Sequence, residues 1–83
     1  MQVKKILVVD DEPNIVRSLA YILSKEGYDV STAEDGEQAM NMVRNSKPHL
    51  MILDVMMPNM SGYDVCHAVK SDLDLQDIHV MML

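Results

Sequence analysis

Asp10, Asp11 and Glu12 follow directly on the apolar run Ile6-Leu7-Val8-Val9, and Asp54 closes a second such run, Leu50-Met51-Ile52-Leu53. Short uninterrupted apolar runs flanked by turn residues read as strands buried on both faces, the pattern of a parallel sheet. In an open parallel α/β sheet, ligands sit in the crevice outside the carboxyl ends of the strands. Two strands that both end in acids therefore gather carboxylates where a site is expected. A carboxylate there can act as a nucleophile toward phosphorus and form an acyl phosphate. Phosphoryl transfer needs mostly positioning and neutralisation of charge on the transferring oxygens, so an anionic acceptor needs a cation beside it. Mg2+ suits, because it takes a few carboxylate or carbonyl oxygens together with water and phosphate. Clustered carboxylates also repel one another, which should raise at least one pKa until a metal arrives. A plainer role is helix capping, for which Asp11 or Glu12 stands suitably ahead of Pro13.

The elements that must hold these acids follow from periodicity and punctuation. The first strand is roughly Lys5 to Val9. Pro13 falls where a helix begins, and Ile15, Leu19, Ile22 and Leu23, with Val16 and Ala20 beside them, form a wide apolar stripe. Lys25 and Gly27 mark its end. Tyr28 to Ala33 reads as a partly polar edge strand. Asp35 and Gln38 have capping-box spacing and open a second helix through Ala39, Met40 and Val43, ending near Ser46. Leu50 to Leu53 is the third strand. Ser61 and Asp64 repeat the capping-box spacing before a third helix with Val65, Cys66 and Val69 inward. The turn-rich Ser71 to Asp77 leads into a fourth apolar strand, Ile78 to Leu83. Strands alternating with helices predict βαβ units and a parallel sheet, with right-handed crossovers placing helices on both faces.

Composition bounds the rest. The 83 residues suffice for one small domain, 48% apolar and 24% charged. Thirteen acids against seven Lys and Arg give a net charge of -6, unsuited to a nucleic-acid or anionic-membrane surface and suited to a cation or a basic partner, although plain solubility accounts for most of it. Cys66 is the only cysteine, so no internal disulfide forms. Only four apolar residues follow the N-terminal lysines before acids arrive, too few for a signal-peptide core, and no run approaches the ~20 residues of a membrane helix. The expected location is the cytoplasm. Met40, Met42, Met51, Met81 and Met82 read as core filler, Met56, Met57 and Met60 as lining of the site, and Cys66 as a buried thiol. His49, His67 and His79 lack ligand spacing and read as surface or strand-end residues. Lys4, Lys5, Lys25, Arg44, Lys47 and Lys70 are scattered as a solvated surface would have them.

Asp10-Asp11, Asp54 with Pro58 four residues later, and the turn Met57-Pro58-Asn59-Met60-Ser61-Gly62 together resemble the receiver domain of two-component response regulators. The resemblance implies a flavodoxin-like α/β fold, a parallel sheet of order 2-1-3-4 with helices on both faces. Residues 1–83 would be the (βα)3β portion of a (βα)5 receiver, C-terminally incomplete, without the fourth helix, fifth strand and fifth helix. The resemblance makes Asp54 the phosphoryl acceptor. It gives Mg2+ to Asp10, Asp11, Asp54 and the backbone carbonyl of Met56. It implies a sensor histidine kinase or phosphotransfer protein as donor, with Asn14 and Ile15 on the docking rim, and a signalling role rather than enzymatic turnover. The family pattern also uses a Thr or Ser just after strand four and a Lys ending strand five, neither of which falls within these residues. A truncated or degenerate receiver that self-associates through the open edge of strand four, and no longer accepts phosphate, is therefore the alternative. Two other classes fit less well. A phosphatase of the haloacid-dehalogenase kind needs an acid two residues after the nucleophile, where Met56 stands. A Rossmann nucleotide-binding domain needs a glycine-rich turn after strand one, where acids stand.

Overall fold

A computed structural model describes residues 3–83. The element order is β1 (Lys5–Val9), α1 (Pro13–Lys25), β2 (Asp29–Ala33), α2 (Gly36–Ser46), β3 (Leu50–Leu53), α3 (Gly62–Ser71) and β4 (His79–Met82). The four strands form one sheet in the order β2-β1-β3-β4, with every neighbouring pair parallel. The expected fold class and strand order are those observed. β2 and β4 each begin one residue later than the sequence suggested.

Alternation along the strands sorts their side chains between two cores. Leu7, Val9, Met51 and Leu53 pack with Ala39, Met40 and Val43 of α2 and with Val65 and Val69 of α3. Ile6, Val8 and Ile52 face the other way, against Val16, Leu19 and Leu23 of α1. Both central strands are thus apolar on both faces, which is why they read as unbroken runs. Leu7, Val8, Val9, Met51 and Leu53 are 0–1% exposed.

The α1 side is only partly covered. α1 contacts β1 and β2, and none of its residues is fully buried. This corrects one expectation: Met81 is not core filler but 52% exposed. On β4, Val80 and Met82 turn toward the α2–α3 core, so Met81 takes the opposite side, beyond the reach of α1. Met42, Met82 and Cys66 are half-buried at the margin of the larger core rather than inside it. Lys70 is not merely solvated either: its Nζ donates to the carbonyls of Gln76 (3.0 Å) and Ile78 (2.6 Å), tying the end of α3 to the entrance of β4. No helix among the described residues is long and apolar enough to cross a membrane.

Candidate functional site

Register brings the acids together. Val9 of β1 lies beside Leu53 of β3, so the residues that follow, Asp10 and Asp54, leave the sheet side by side. The N–H of Asp54 still donates to the carbonyl of Val9 at 2.9 Å, and that of Asp10 to Ala33 at 3.2 Å. Both acids are therefore held by the last rungs of the ladder. Asp11 follows in the β1–α1 turn. One carboxylate oxygen from each of Asp10, Asp11 and Asp54 lies within 4.8 Å of the other two.

The three acids differ in exposure. Asp10 is 4% exposed, Asp54 is half-buried and Asp11 is exposed. Burial pushes the Asp10 carboxyl above its ordinary value. The neighbouring charges of Asp54 and Asp11 push it further, against a backbone N–H from Glu12 that favours the ionised form. Desolvation is thus the larger cause, ahead of the mutual repulsion that the sequence suggested. That Glu12 N–H reaches Asp10 Oδ1 at 2.9 Å. Glu12 rather than Asp11 is the N-cap of α1, accepting from the Asn14 N–H, which leaves Asp11 free of capping duty.

The loop after β3 closes the site on one side. The N–H of Met56 points to Asp54 Oδ1 at 3.4 Å, and Met56 itself is 79% exposed. Asn59 takes a left-handed backbone with φ of 70°, and the Gly62 N–H donates to Val55 O at 2.9 Å. Ser61 and Asp64 form the expected capping box at the start of α3. Gly62 was legible only as part of a turn motif. Its structural reason is contact: a Cβ there would collide with the carbonyl of Asp54 and the backbone of Val55. Glycine lets α3 begin directly against the main chain of Asp54.

A groove of about 630 Å³ opens beside Asp10 and Asp54, walled by Asn14, Ile15, Ser18 and Leu19 of α1 and by Leu83. Of these, sequence singled out Asn14 and Ile15; Ser18, Leu19 and Leu83 join them because α1 runs along the groove and Leu83 extends β4 past Leu53. A second depression, about 730 Å³, lies at the other end of the strands, among Lys4, Lys47, His49, Ile78 and His79. Among the described residues, Asp10, Asp11 and Asp54 are the group placed to hold a metal ion, so chemistry rather than size selects the acidic end. An all-oxygen donor set at this spacing, with one acid deeply buried and open space alongside, fits a small hard cation that retains water. It offers no nitrogen or sulfur that would favour a softer metal.

Comparison with known proteins points the same way. The family model of the response regulator receiver domain matches residues 6–83. The alkaline phosphatase synthesis transcriptional regulatory protein PhoP of Bacillus subtilis is 52% identical over 67 residues, 81% of this chain and 28% of that protein. The probable transcriptional regulator ycf27 of Porphyridium aerugineum is 45% identical over 83 residues, 100% of this chain and 33% of its own length. The chain thus spans about a third or less of these curated relatives. Among solved structures, the N-terminal domain of a response regulator receiver protein from Methanoculleus marisnigri aligns with a TM-score of 0.93 at 37% identity, covering 98% of this chain and 66% of that one. The chemotaxis protein CheY4 of Vibrio cholerae also gives 0.93, at 31% identity, with 98% and 68% covered.

Proposed function

Because this chain belongs to the response regulator receiver domain family, we propose that it carries a phosphorelay signal by accepting a phosphoryl group on Asp54. Mg2+ would be held by Asp10, Asp11, Asp54 and the backbone carbonyl of Met56. One observation carries the reading: carboxylates from the ends of two adjacent strands and the following turn converge to within 4.8 Å. Sequence separation alone gives no reason for residue 54 to meet residues 10 and 11. The roles divide by exposure. Asp10, almost wholly buried, suits a fixed ligand, whereas Asp54 faces the groove and suits attack on an incoming group. With Oδ1 of Asp54 turned to the Met56 N–H, Oδ2 is the attacking atom.

The donor is a phosphohistidine on a sensor histidine kinase or a phosphotransfer protein. A bond forms from Asp54 oxygen to phosphorus as the P–N bond breaks, and its electron pair leaves with the imidazole nitrogen. When bound, Mg2+ neutralises charge on the transferring oxygens. The donor approaches over Asn14 and Ile15, the exposed wall of the groove. The chain acts in the cytoplasm as a signal carrier rather than a turnover enzyme. The relatives' names favour transcription as the output, while the net charge of -6 argues against these residues touching DNA themselves.

Intact mass after incubation with Mg2+ and acetyl phosphate tests this, beside an Asp54→Asn control. The expected result is one added phosphoryl group that needs Mg2+ and vanishes in the control. A folded chain that binds Mg2+ and gains no phosphoryl group would favour the second reading, a degenerate receiver. That reading has one observation in its favour: the outer edge of β4, flanked by Met81 and Leu83 at 52% and 55% exposure, offers a surface for self-association.

A further inference from the structure

We propose that Gly36 is a positioning residue of the acidic site, acting through Met60 on the β3–α3 loop. Gly36 is the first residue of α2 and is buried. A Cβ there would stand 2.8 Å from Met60 Sδ and 2.9 Å from both Cβ and Cγ of Met60. The sulfur could swing aside, but Met60 Cβ moves only with the main chain of the loop. Helix propensity alone would favour alanine at this position, and Gly36, unlike Gly27 with its φ of 96°, does not take a left-handed backbone. What glycine supplies here is therefore the seat for Met60.

From that seat the loop leads back to Asp54 in few steps. The Met60 N–H donates to Pro58 O at 2.8 Å and the Gly62 N–H to Val55 O at 2.9 Å, so the loop is closed on itself and offers little slack. The same loop carries the Met56 N–H that reaches Asp54 Oδ1 and the Met56 carbonyl assigned above to Mg2+. Beside the contact, α2 and the loop border a cavity of about 430 Å³, lined in part by Met40, Asn41 and Asn59. Space for a displaced loop thus exists alongside the contact. Hydrogen-bond partners of metal ligands typically alter metal affinity ten- to a hundredfold when changed, and the Gly36–Met60 contact acts on the Met56 carbonyl through the loop they share. The proposal rests on the reading of Asp54 and its metal given above.

The test uses protein labelled at the methionine ε-methyl groups, titrated with Mg2+ alone and followed by NMR, in Gly36→Ala, Met60→Gly and the double variant. In Gly36→Ala the Met60, Met57 and Met56 signals should move while Met51 and Met81 stay, and Mg2+ should bind about tenfold more weakly. In the Met60→Gly background, adding Gly36→Ala should change Mg2+ affinity no further. Unchanged Mg2+ affinity in Gly36→Ala overturns the proposal, as does an equal loss in both backgrounds, which would place the effect in α2 itself. If Gly36→Ala alone does not fold, the two variants lacking the Met60 side chain decide: equal affinities support the proposal and unequal ones overturn it. A parent chain that does not respond to Mg2+ overturns the metal reading first, and this proposal with it.

Discussion

Asp10 concentrates the tension in the site. Its buried carboxyl is raised above the ordinary range, first by desolvation and then by the charges of Asp54 and Asp11. For a group raised in the folded state, its stabilising contribution is full below the unfolded pKa and lost as pH rises through the folded value. In the absence of metal, Asp10→Asn should therefore stabilise the chain at neutral pH, within the size of an ordinary single-site effect, up to about 1 kcal/mol. The gain should shrink on acidification toward the carboxylate range, because the native side chain is then neutral as well. Thermal midpoints of parent and variant across pH measure this, and a variant less stable at neutral pH would contradict it. Mg2+ held as proposed would act in the opposite sense, since a metal binds the ionised form and loses affinity as protons compete. The acids themselves were legible in the sequence, because each closes an apolar run. The main cause of the raised pKa was not, since it depends on how far α1 and the strand ends bury Asp10. The seat that Gly36 gives Met60 was not legible either, because that contact is tertiary.

The elements were legible where local signals agree with tertiary demand. The apolar runs of β1 and β3 and the Pro13 start of α1 lie as read. The Ser61–Asp64 pair forms its reciprocal bonds. Asp35 caps α2, but Gln38 answers with its side chain to the N–H of Glu34 rather than to that of Asp35, a one-residue offset that spacing cannot show. Strand ends were less legible because they depend on partners. His49 is an example: its N–H donates to Lys5 O, its Nδ1 accepts the Lys5 N–H, both at 2.9 Å, and its carbonyl accepts from His79. One residue thus joins the starts of three strands. Ser61→Ala should cost about 1 kcal/mol, the usual loss for a capping hydroxyl, read as a fall of several degrees in thermal midpoint. An unchanged midpoint would mean that the capping box adds nothing. Lys70→Met, which leaves the Gln76 and Ile78 carbonyls without their donor, should speed hydrogen exchange at the amides of β4 more than at those of β1. Equal protection in parent and variant would contradict that tie.

At the scale of the whole molecule, two unequal faces meet one acidic end. The α2–α3 face is closed over a continuous core, while the α1 side leaves Ile15, Ile22, Met81 and Leu83 exposed by 44–56%. An apolar strand edge beside such a surface invites pairing with another chain. The 83-residue chain should show concentration-dependent sedimentation, reduced by Met81→Lys, and a concentration-independent monomer would remove that expectation. The proposed function rests on the acidic end, where parallel pairing of β1 with β3 brings residues 10 and 54 together. The measurement that tests this most directly is the location of the phosphoryl group. The chain is phosphorylated with acetyl phosphate and Mg2+, its acyl phosphate is reduced with borohydride, and its peptides are mapped by mass spectrometry. Homoserine is expected at position 54 alone, dependent on Mg2+ and lost in Asp10→Asn. Homoserine at position 10 or 11, or labelling indifferent to Mg2+, would contradict it.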